Sequence, residues 1–277
     1  LRNNGGYSNA YTASDLTNYQ FQVLPDAFEG AIDRFSQFFI SPLFTEEYTA
    51  REVNAVNSEH QKNIMNDGWR RFRLSGIFAK EGHPEQKFGT GNLETLGDID
   101  RTELIEFYDK YYSSNRMGLA LLSTHSLDEM EKWARKYFSS IKNHEKEVNK
   151  YDPNYFDKKE TFRLVQVDPV KDIRDLVMMF PILGTRYQYD SKPDQQFGFV
   201  LGHEGEGSLL SYLKDKGWAI SLGAGARSDN NDYGGASVTI GLTEEGLSNY
   251  KEVLKVTMDY VSLMRRSGHP KHVLRNS

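Results

Sequence analysis

The fold begins with the stretch TNYQFQVLPDAFEGAIDRFSQFF, residues 17–39, where one pattern of apolar residues gives way to another. Residues 17–23 alternate between polar and apolar, and this period of two predicts a half-buried strand. From Pro25 to about Phe39 the apolar residues recur at helical spacing instead, which predicts an amphipathic helix. The apolar stripe of this helix consists of Phe28, Ala31, Ile32, Phe35 and Phe38.

Strands and helices continue through the first half of the chain. An extended piece at 7–11 precedes the strand, and residues 12–15 connect the two. Pro42 ends the first helix, and a longer helix is predicted from Thr45 to about Ala79, with a bend at 67–68. The other elements predicted here are a loop at 80–100, a helix from Asp100 to about Tyr112, a strand at 116–123 and a helix at 126–141.

The second half repeats this arrangement after a polar segment at 142–159, which has no apolar period and is typical of an interdomain linker. The pattern then predicts strands at 161–167, 175–181, 218–226 and 235–242, and helices at 206–216 and 244–266. The predicted fold class is therefore α+β, with domains at 1–150 and 151–277. Residues 273–277 still have a helical pattern and Leu1 is not an initiator Met, so we expect a piece of a longer protein with a truncated second domain.

Composition and charge exclude several classes of protein. The 277 residues carry a formal net charge of −5, and no nucleic-acid or membrane partner is expected without a polybasic run. There is no cysteine, which excludes disulfides, cysteine-ligated metals and thiol catalysis and fits a cytoplasmic location. The longest apolar runs, such as Met117–Leu122, are far too short to span a membrane.

The histidines do not form a recognised zinc motif. None stands in H-E-x-x-H or in the inverse H-x-x-E-H, the spacings that put two imidazoles and a carboxylate on one helix face. His269 and His272 are separated by Pro270, and no acidic partner follows them. The segment Gly202–Gly207 runs G-x-x-G-x-G, which is the wrong order for dinucleotide binding and favours a simple strand-to-helix loop. The histidines are His60, His83, His125, His144, His203, His269 and His272.

The most informative segment is REVNAVNSEHQKN, residues 51–63. On a helix Glu52 and Glu59 are two turns apart, about 10 Å along the axis, and share one face with Val56 between them. A solvated, charged helix is the ordinary interpretation of this pattern. The alternative is a carboxylate metal ligand with a second carboxylate behind it that orients an imidazole. The spacing alone leaves both interpretations open.

A series of motifs, found in order over almost the whole chain, resembles the insulinase (pitrilysin) family of inverted-motif zinc peptidases. The likeness is to the insulin-degrading branch rather than to mitochondrial processing peptidases. It implies two consecutive insulinase-type domains, each a mainly antiparallel sheet packed by long helices. The motifs are SNAYT at 8–12, TNY at 17–19, FF at 38–39, PLF at 42–44, REVNAVNSE at 51–59, HP at 83–84, KFGTGN at 87–92, YYSSNRM at 111–117, PVKDIR at 169–174, FPI at 180–182, GHEG at 202–205, GSLL at 207–210 and KGW at 216–218.

The resemblance assigns roles to particular residues. Glu59 matches the third zinc ligand of the family, and Glu52 matches the acidic residue that supports the metal site from behind. Residues 8–12 match the edge strand on which the substrate is laid, where Asn9 and Ala10 contact the peptide and the aromatic Tyr11 lines a side-chain pocket. An exosite that captures the substrate's N-terminus is matched by Gly202, His203, Glu204, Leu222, Gly223 and Ala224. Gly223-Ala224 departs from the family's order of a bulkier residue followed by glycine.

The H-x-x-E-H segment, with both histidine ligands and the general base, is not in this chain and is expected before Leu1. The resemblance therefore implies a zinc metalloendopeptidase that cleaves short peptides in a closed chamber, with the present chain inactive and not binding Zn²⁺ by itself. The implied partners are peptide substrates and the C-terminal half of the same protein, and a homodimer is one assembly it allows. Two alternatives are a noncatalytic family subunit that binds peptides or supports assembly, and a purely structural α+β module.

Overall fold

The computed structural model describes residues 1–156, 162–228 and 230–267. Its helices, in chain order, are α1 (Phe28–Ile40), α2 (Glu46–Asn63), α3 (Asp67–Ile77), α4 (Leu93–Leu96), α5 (Arg101–Tyr111), α6 (Leu127–Phe138), α7 (Pro193–Leu201), α8 (Leu209–Asp215), α9 (Glu244–Ser248) and α10 (Tyr250–Ser267). Its strands are β1 (Tyr7–Thr12), β2 (Thr17–Gln22), β3 (Asp175–Leu183), β4 (Ala219–Ser228) and β5 (Tyr233–Leu242). The mixture of helices with antiparallel strands confirms the α+β class.

The chain forms two compact units that are not continuous in sequence. The first contains Leu1–Asn63 and Gly89–Asn149, and the second contains Ile64–Phe88 and the described residues from Lys150 onward. The assignment of 1–150 and 151–277 to two insulinase-type domains stays a prediction, and the units differ from those ranges in residues 64–88. Residues 64–88 belong to the second unit because they contact its later residues: the N–H of Lys80 donates to the carbonyl oxygen of Tyr155 at 2.8 Å.

In the first unit, α1 and α6 close over the hairpin of β1 and β2. Phe28 and Ile32 of α1 are buried with Met130 and Trp133 of α6, as expected for residues three or four apart on one helix face. The partly buried side chains around this cluster are Phe21, Val23, Leu121, Tyr137 and Phe138. The change of period at residues 17–39 therefore predicted Phe28 and Ile32 in this core correctly, whereas Phe38, predicted on the same stripe, is 59% exposed.

The single helix predicted from Thr45 to Ala79 is wrong, because the chain breaks between α2 and α3. Asn66 is extended, with φ −108° and ψ 118°, and its side-chain oxygen accepts the N–H groups of Gly68 at 2.9 Å and Trp69 at 3.2 Å. An asparagine in this position satisfies the free N–H groups of a new helix and so favours a start over a continuation.

Two predicted strands do not form ladders within the part of the chain that the structure describes. Residues 117–123 have no pairing partner there; Met117 is extended, but Leu122 is 93% exposed. The same holds for residues 162–167, while residue 161 lies outside the described part. Apolar alternation favours an extended backbone, but a strand also needs a hydrogen-bonding neighbour, which the local pattern does not specify. The helical pattern at 273–277 also falls outside the described residues.

The second unit is built on a three-stranded antiparallel sheet in the order β3-β5-β4. Its core lies between β5, β4, α8 and α10, where the buried residues include Leu213, Leu222, Val238, Ile240 and Val253. The predicted helix at 244–266 is divided at Asn249, and α7 was not predicted although Pro193 at its first turn is a helix-start signal. No helix in the described ranges is both long and apolar enough to cross a membrane.

Candidate peptide-binding edge and acidic helix

The hairpin register shows which backbone groups of β1 bond to β2. At the turn, the N–H of Ala13 donates to the carbonyl oxygen of Leu16 at 2.8 Å, so these two residues form a hydrogen-bonded pair. Hydrogen-bonded and non-bonded pairs alternate along an antiparallel ladder. Counting back in steps of two along the observed register, Tyr11, Asn9 and Tyr7 bond to β2.

The alternate residues of β1 therefore direct their N–H and C=O groups away from β2. These are Ser8, Ala10 and Thr12, and all six residues of the strand are exposed. The described part of the chain contains no strand that pairs with this outer edge. A free edge with three outward-facing residues is the arrangement to which an extended peptide adds as a further strand.

The predicted substrate residues Asn9, Ala10 and Tyr11 all lie on this strand. Successive side chains alternate between faces, so Asn9 and Tyr11 share one face and Ala10 lies on the other. The side chain of Tyr11 is 54% exposed. The amide oxygen of Asn9 accepts the N–H of Ala10 at 2.9 Å, which means that the central outward N–H of the edge already has a partner.

The acidic pair lies on α2, a helix without a single buried residue. Glu52 and Glu59 are both exposed. The helix is anchored close to them, because the side-chain oxygen of Asn57 accepts the N–H of Leu93 at 3.2 Å. Val56, between the two acids, is partly buried. The face predicted from the spacing is thus apolar in its centre and acidic at both ends.

The donor set of this chain does not fit a zinc ion. A hydrolytic zinc site needs three protein ligands, usually His, Asp or Glu, plus water. Among the described residues no three such side chains come together. The roles of Glu59 as a zinc ligand and of Glu52 as its support therefore stay predictions.

The second unit brings part of the predicted exosite together. Gly202 follows the last residue of α7 and lies against β4. The two are so close that a Cβ atom added to Gly202 would lie 3.6 Å from the backbone nitrogen of Ala224. Gly223 opens onto free space, whereas the side chain of Leu222 is 6% exposed and packs in the core. Leu222 can therefore meet a ligand only through its backbone.

The two polar members of the predicted exosite are on the loop after α7. His203 and Glu204 are exposed. The ring of His203 lies against Gly205, where a Cβ atom would be 2.8 Å from its Nε2 atom. A side chain at residue 205 would thus displace His203, which explains why glycine suits this loop.

Sequence reasoning missed a buried histidine in the second unit. His83 is 4% exposed and lies between the rings of Tyr155 and Tyr233, with centroid distances of 5.8 and 4.9 Å. Its Nδ1 atom accepts the N–H of Glu85 at 3.1 Å, so the proton is on Nε2, which lies 3.1 Å from the carbonyl oxygen of Asp152. Burial lowers the pKa of His83. In the sequence, the adjacent Pro84 indicates a fixed turn at this position, but nothing local indicates that His83 is buried.

A second missed feature is a group of tyrosines in the first unit. The hydroxyl groups of Tyr19 and Tyr112 lie 2.5 Å apart, and the hydroxyl of Tyr108 donates to the carbonyl oxygen of Phe39. Burial, and then the bond with Tyr19, raise the pKa of Tyr112 well above its usual range. These hydroxyls join β2, α1 and α5, which lie far apart in the sequence.

Family models match nearly the whole chain. The model "Insulinase (Peptidase family M16)" matches residues 1–81, and "Peptidase M16 inactive domain" matches residues 98–275. The Schizosaccharomyces pombe protein named "Putative zinc protease mug138" is 44% identical over 285 residues, covering 100% of this chain and 29% of its own length. The insulin-degrading enzyme of Homo sapiens is 40% identical over 282 residues, covering 99% of this chain and 28% of its own length.

A solved structure agrees with these matches. Crystalline pitrilysin superposes with a TM-score of 0.89 at 29% identity, over 99% of this chain and 30% of its own. The chain thus spans somewhat less than a third of the length of these relatives. Because the family models, the relatives and the fold agree over nearly every residue, the chain belongs to the insulinase family, peptidase family M16.

Proposed function

We propose that the whole protein is a zinc metalloendopeptidase, similar to insulin-degrading enzyme, that cleaves short peptides in an enclosed chamber. The present chain would supply the strand that holds the peptide but would not cleave it alone. The observation that carries this proposal is the free edge of β1, with Ser8, Ala10 and Thr12 facing outward. Family membership supports the choice of reaction, since the relatives include a named zinc protease and insulin-degrading enzymes.

The proposed binding step is addition of the peptide as a third strand of the hairpin. Peptide carbonyl and N–H groups would bond to Ser8, Ala10 and Thr12, and such main-chain bonds are insensitive to peptide sequence. Selectivity would then come from side-chain contacts, to which Tyr11 contributes an exposed ring. At Gly202, His203 and Glu204, an exposed loop with backbone and carboxylate acceptors would receive the peptide's N-terminal ammonium.

The inactivity of the isolated chain follows from its donor set. Zinc would activate water for peptide hydrolysis in the whole protein, and this chain would contribute one carboxylate, Glu59, supported by Glu52. One carboxylate cannot retain zinc at useful affinity. The remaining ligands and the general base belong to the H-x-x-E-H motif, which the 277 residues do not contain. The C-terminal half of the protein is the proposed partner that completes the chamber.

The binding part is tested by amide exchange with insulin B chain as the probe peptide. Saturating peptide should slow exchange at Ser8, Ala10 and Thr12 and leave Asn9 and Tyr11 nearly unchanged, because the latter already bond to β2. Ala10→Pro removes the central outward N–H without touching the ladder and should weaken binding, whereas the matched variant Ala10→Val keeps the N–H and should bind normally. Binding with no protection at these three residues would refute the edge assignment.

The catalytic part is tested by zinc content and cleavage of a fluorogenic peptide. The chain alone should contain no stoichiometric zinc and show background cleavage. A version extended to include the H-x-x-E-H motif and the C-terminal half should cleave in a chelator-sensitive manner, and Glu59→Gln should abolish this. Cleavage by the extended protein that survives Glu59→Gln would contradict the proposed role of Glu59.

A second candidate function is a noncatalytic family subunit that binds peptides. The observation in its favour is that the family model matching residues 98–275 describes an inactive domain. This candidate predicts the same protection along β1 but neither zinc nor cleavage in the extended protein.

A further inference from the structure

The free edge of β1 is not fully available to an incoming strand. Of its three outward-facing residues, Ala10 is central, and its N–H already donates to the side-chain oxygen of Asn9 at 2.9 Å. Both residues are exposed, so this is a bond made at the surface, where a peptide would approach. An incoming strand needs the same N–H for one of its own carbonyl groups.

We propose that Asn9 is a self-cap that regulates strand addition to β1, an inference that rests on the proposed peptide-binding function. When the edge is free, the Asn9 amide satisfies the central N–H. When a peptide binds, its carbonyl replaces the Asn9 oxygen, and the amide side chain turns away. Asn9 therefore selects for peptides that place an unobstructed carbonyl opposite Ala10, and it disfavours short or irregular segments that cannot.

The position of Asn9 in the ladder makes this mechanism specific. Its own backbone bonds to β2, opposite Gln20, so its side chain can move without opening the hairpin. Asparagine and aspartate have a short side chain whose oxygen reaches nearby backbone N–H groups. Alanine has no such oxygen and cannot form this bond. Capping of the central N–H also has a protective value, since an uncapped edge strand is a template for pairing between copies of a protein.

A series of substitutions of Asn9 distinguishes a cap from a simple contact. In Asn9→Asp the carboxylate would cap Ala10 at least as strongly as the amide does, because a charged acceptor makes the stronger bond, and Asn9→Ala would have no cap at all. A cap therefore predicts that peptide affinity is highest in Asn9→Ala, intermediate in the wild type and lowest in Asn9→Asp. A favourable contact between the Asn9 amide and the peptide predicts instead that the wild type binds more tightly than both variants.

The first measurement needs no peptide. Amide exchange of Ala10, read by NMR, should accelerate roughly two- to tenfold in Asn9→Ala, the range expected for loss of one neutral hydrogen bond. Exchange at Ser8 and Thr12 should not change. Gln20→Ala is the matched control, since Gln20 lies opposite Asn9 on the same face and is also exposed. Unchanged exchange of Ala10 in Asn9→Ala would overturn the self-cap.

The second measurement is the affinity of the three proteins for insulin B chain at high salt, which screens long-range attraction or repulsion between the peptide and the charge in Asn9→Asp. Asn9→Ala should bind roughly two- to tenfold more tightly than wild type. Weaker binding by Asn9→Ala would overturn the inference. Absence of protection at Ser8 and Thr12 in every protein would instead refute the proposed function, so the two failures are distinguishable.

Discussion

Lowering the pH should destabilise the second unit selectively, because His83 must remain neutral to keep its place. The N–H of Glu85 points at Nδ1 of His83, and a proton on that atom would set two donors against each other. The bond would be lost inside a buried cluster, at a cost of about 1–3 kcal/mol for the unsatisfied group. The His83 side chain is held between Tyr155 and Tyr233, which leaves the ring little room to turn.

The charged groups around His83 do not reverse this expectation. Lys80 and Asp152 form an ion pair beside the ring, and the hydroxyl of Tyr233 donates to the carboxylate of Glu85 at 3.3 Å. Burial is the largest influence and lowers the pKa of His83; Lys80 acts in the same direction, and Asp152 opposes both. The net effect is a neutral ring in the folded unit.

The direction of the pH dependence follows from proton binding. The unfolded chain, with an ordinary histidine pKa of 6.5, binds a proton before the folded unit does. The contribution of His83 is therefore fully present above the pKa of the unfolded chain. It is lost as the pH falls from there towards the lower folded pKa, with a slope of at most about 1.4 kcal/mol per pH unit.

The assay can use the absence of cysteine from the chain. Val238 is fully buried in the core of the second unit, so thiol labelling of Val238→Cys reports opening of that unit alone. As the pH is lowered from about 8 to about 5, opening of the second unit should become more favourable. The additional His83→Asn substitution should flatten this pH dependence, because an asparagine oxygen can still accept the N–H of Glu85 but does not titrate. His203→Asn, at an exposed loop position, is the matched control. Equal pH dependence in the His83→Asn and parent proteins would refute the reasoning.

Three further predictions concern single contacts, each measured by urea unfolding with probes specific to one unit. Asp67→Asn should destabilise the second unit at neutral pH, because the carboxylate accepts the N–H groups of Val170 at 2.8 Å and Lys171 at 3.0 Å. The bond from Val170 is the main cause of the lowered pKa of Asp67, so this stabilisation is present above the ordinary pKa of 3.8 and is lost in acid; equal acid sensitivity in Asp67→Asn would contradict it. Tyr112→Phe should cost the first unit about 0.5–1.5 kcal/mol through loss of the bond to Tyr19, and no loss would mean that the bond is not formed. Gly246→Ala should destabilise the second unit by about 1–3 kcal/mol, because the added carbon would overlap the carbonyl oxygen of Trp218, whereas Gly223→Ala, which meets open space, should be nearly neutral.

The sequence predicted features set by neighbouring residues more accurately than features set by contacts between distant residues. The hairpin, α1 and α6 were predicted close to their observed bounds, and Phe28 and Ile32 were placed on the buried side of α1, because alternation and helical spacing are local properties. The start of α5 at Asp100 was also predicted, and Asp100 and Glu103 form a capping box there. The strands predicted at 116–123 and 161–167 form no ladder among the residues that the structure describes, because pairing depends on a distant partner.

The candidate site shows the same division. The family resemblance by itself predicted Asn9, Ala10 and Tyr11 as peptide contacts, but only the register shows that the backbone groups of Ala10 face outward and those of Asn9 do not. A shift of one residue would exchange these roles, and the alternating pattern cannot detect it where both faces of a strand are exposed. The acid pair on α2 was likewise predicted from the resemblance, and its metal role stays a prediction that the experiment with Glu59→Gln tests.

The sequence by itself determined the α+β class, the positions of most helices and strands, and the family, since all of these depend on local periodicity and on motifs of adjacent residues. Only the tertiary structure decided that residues 64–88 pack with the second unit, that His83 is buried, and that Leu222 faces the core. The physical reason is that these features depend on contacts between distant residues, such as His83 with Asp152 or Tyr233 with Glu85. Their free energies are set by burial and geometry, which a linear pattern does not encode.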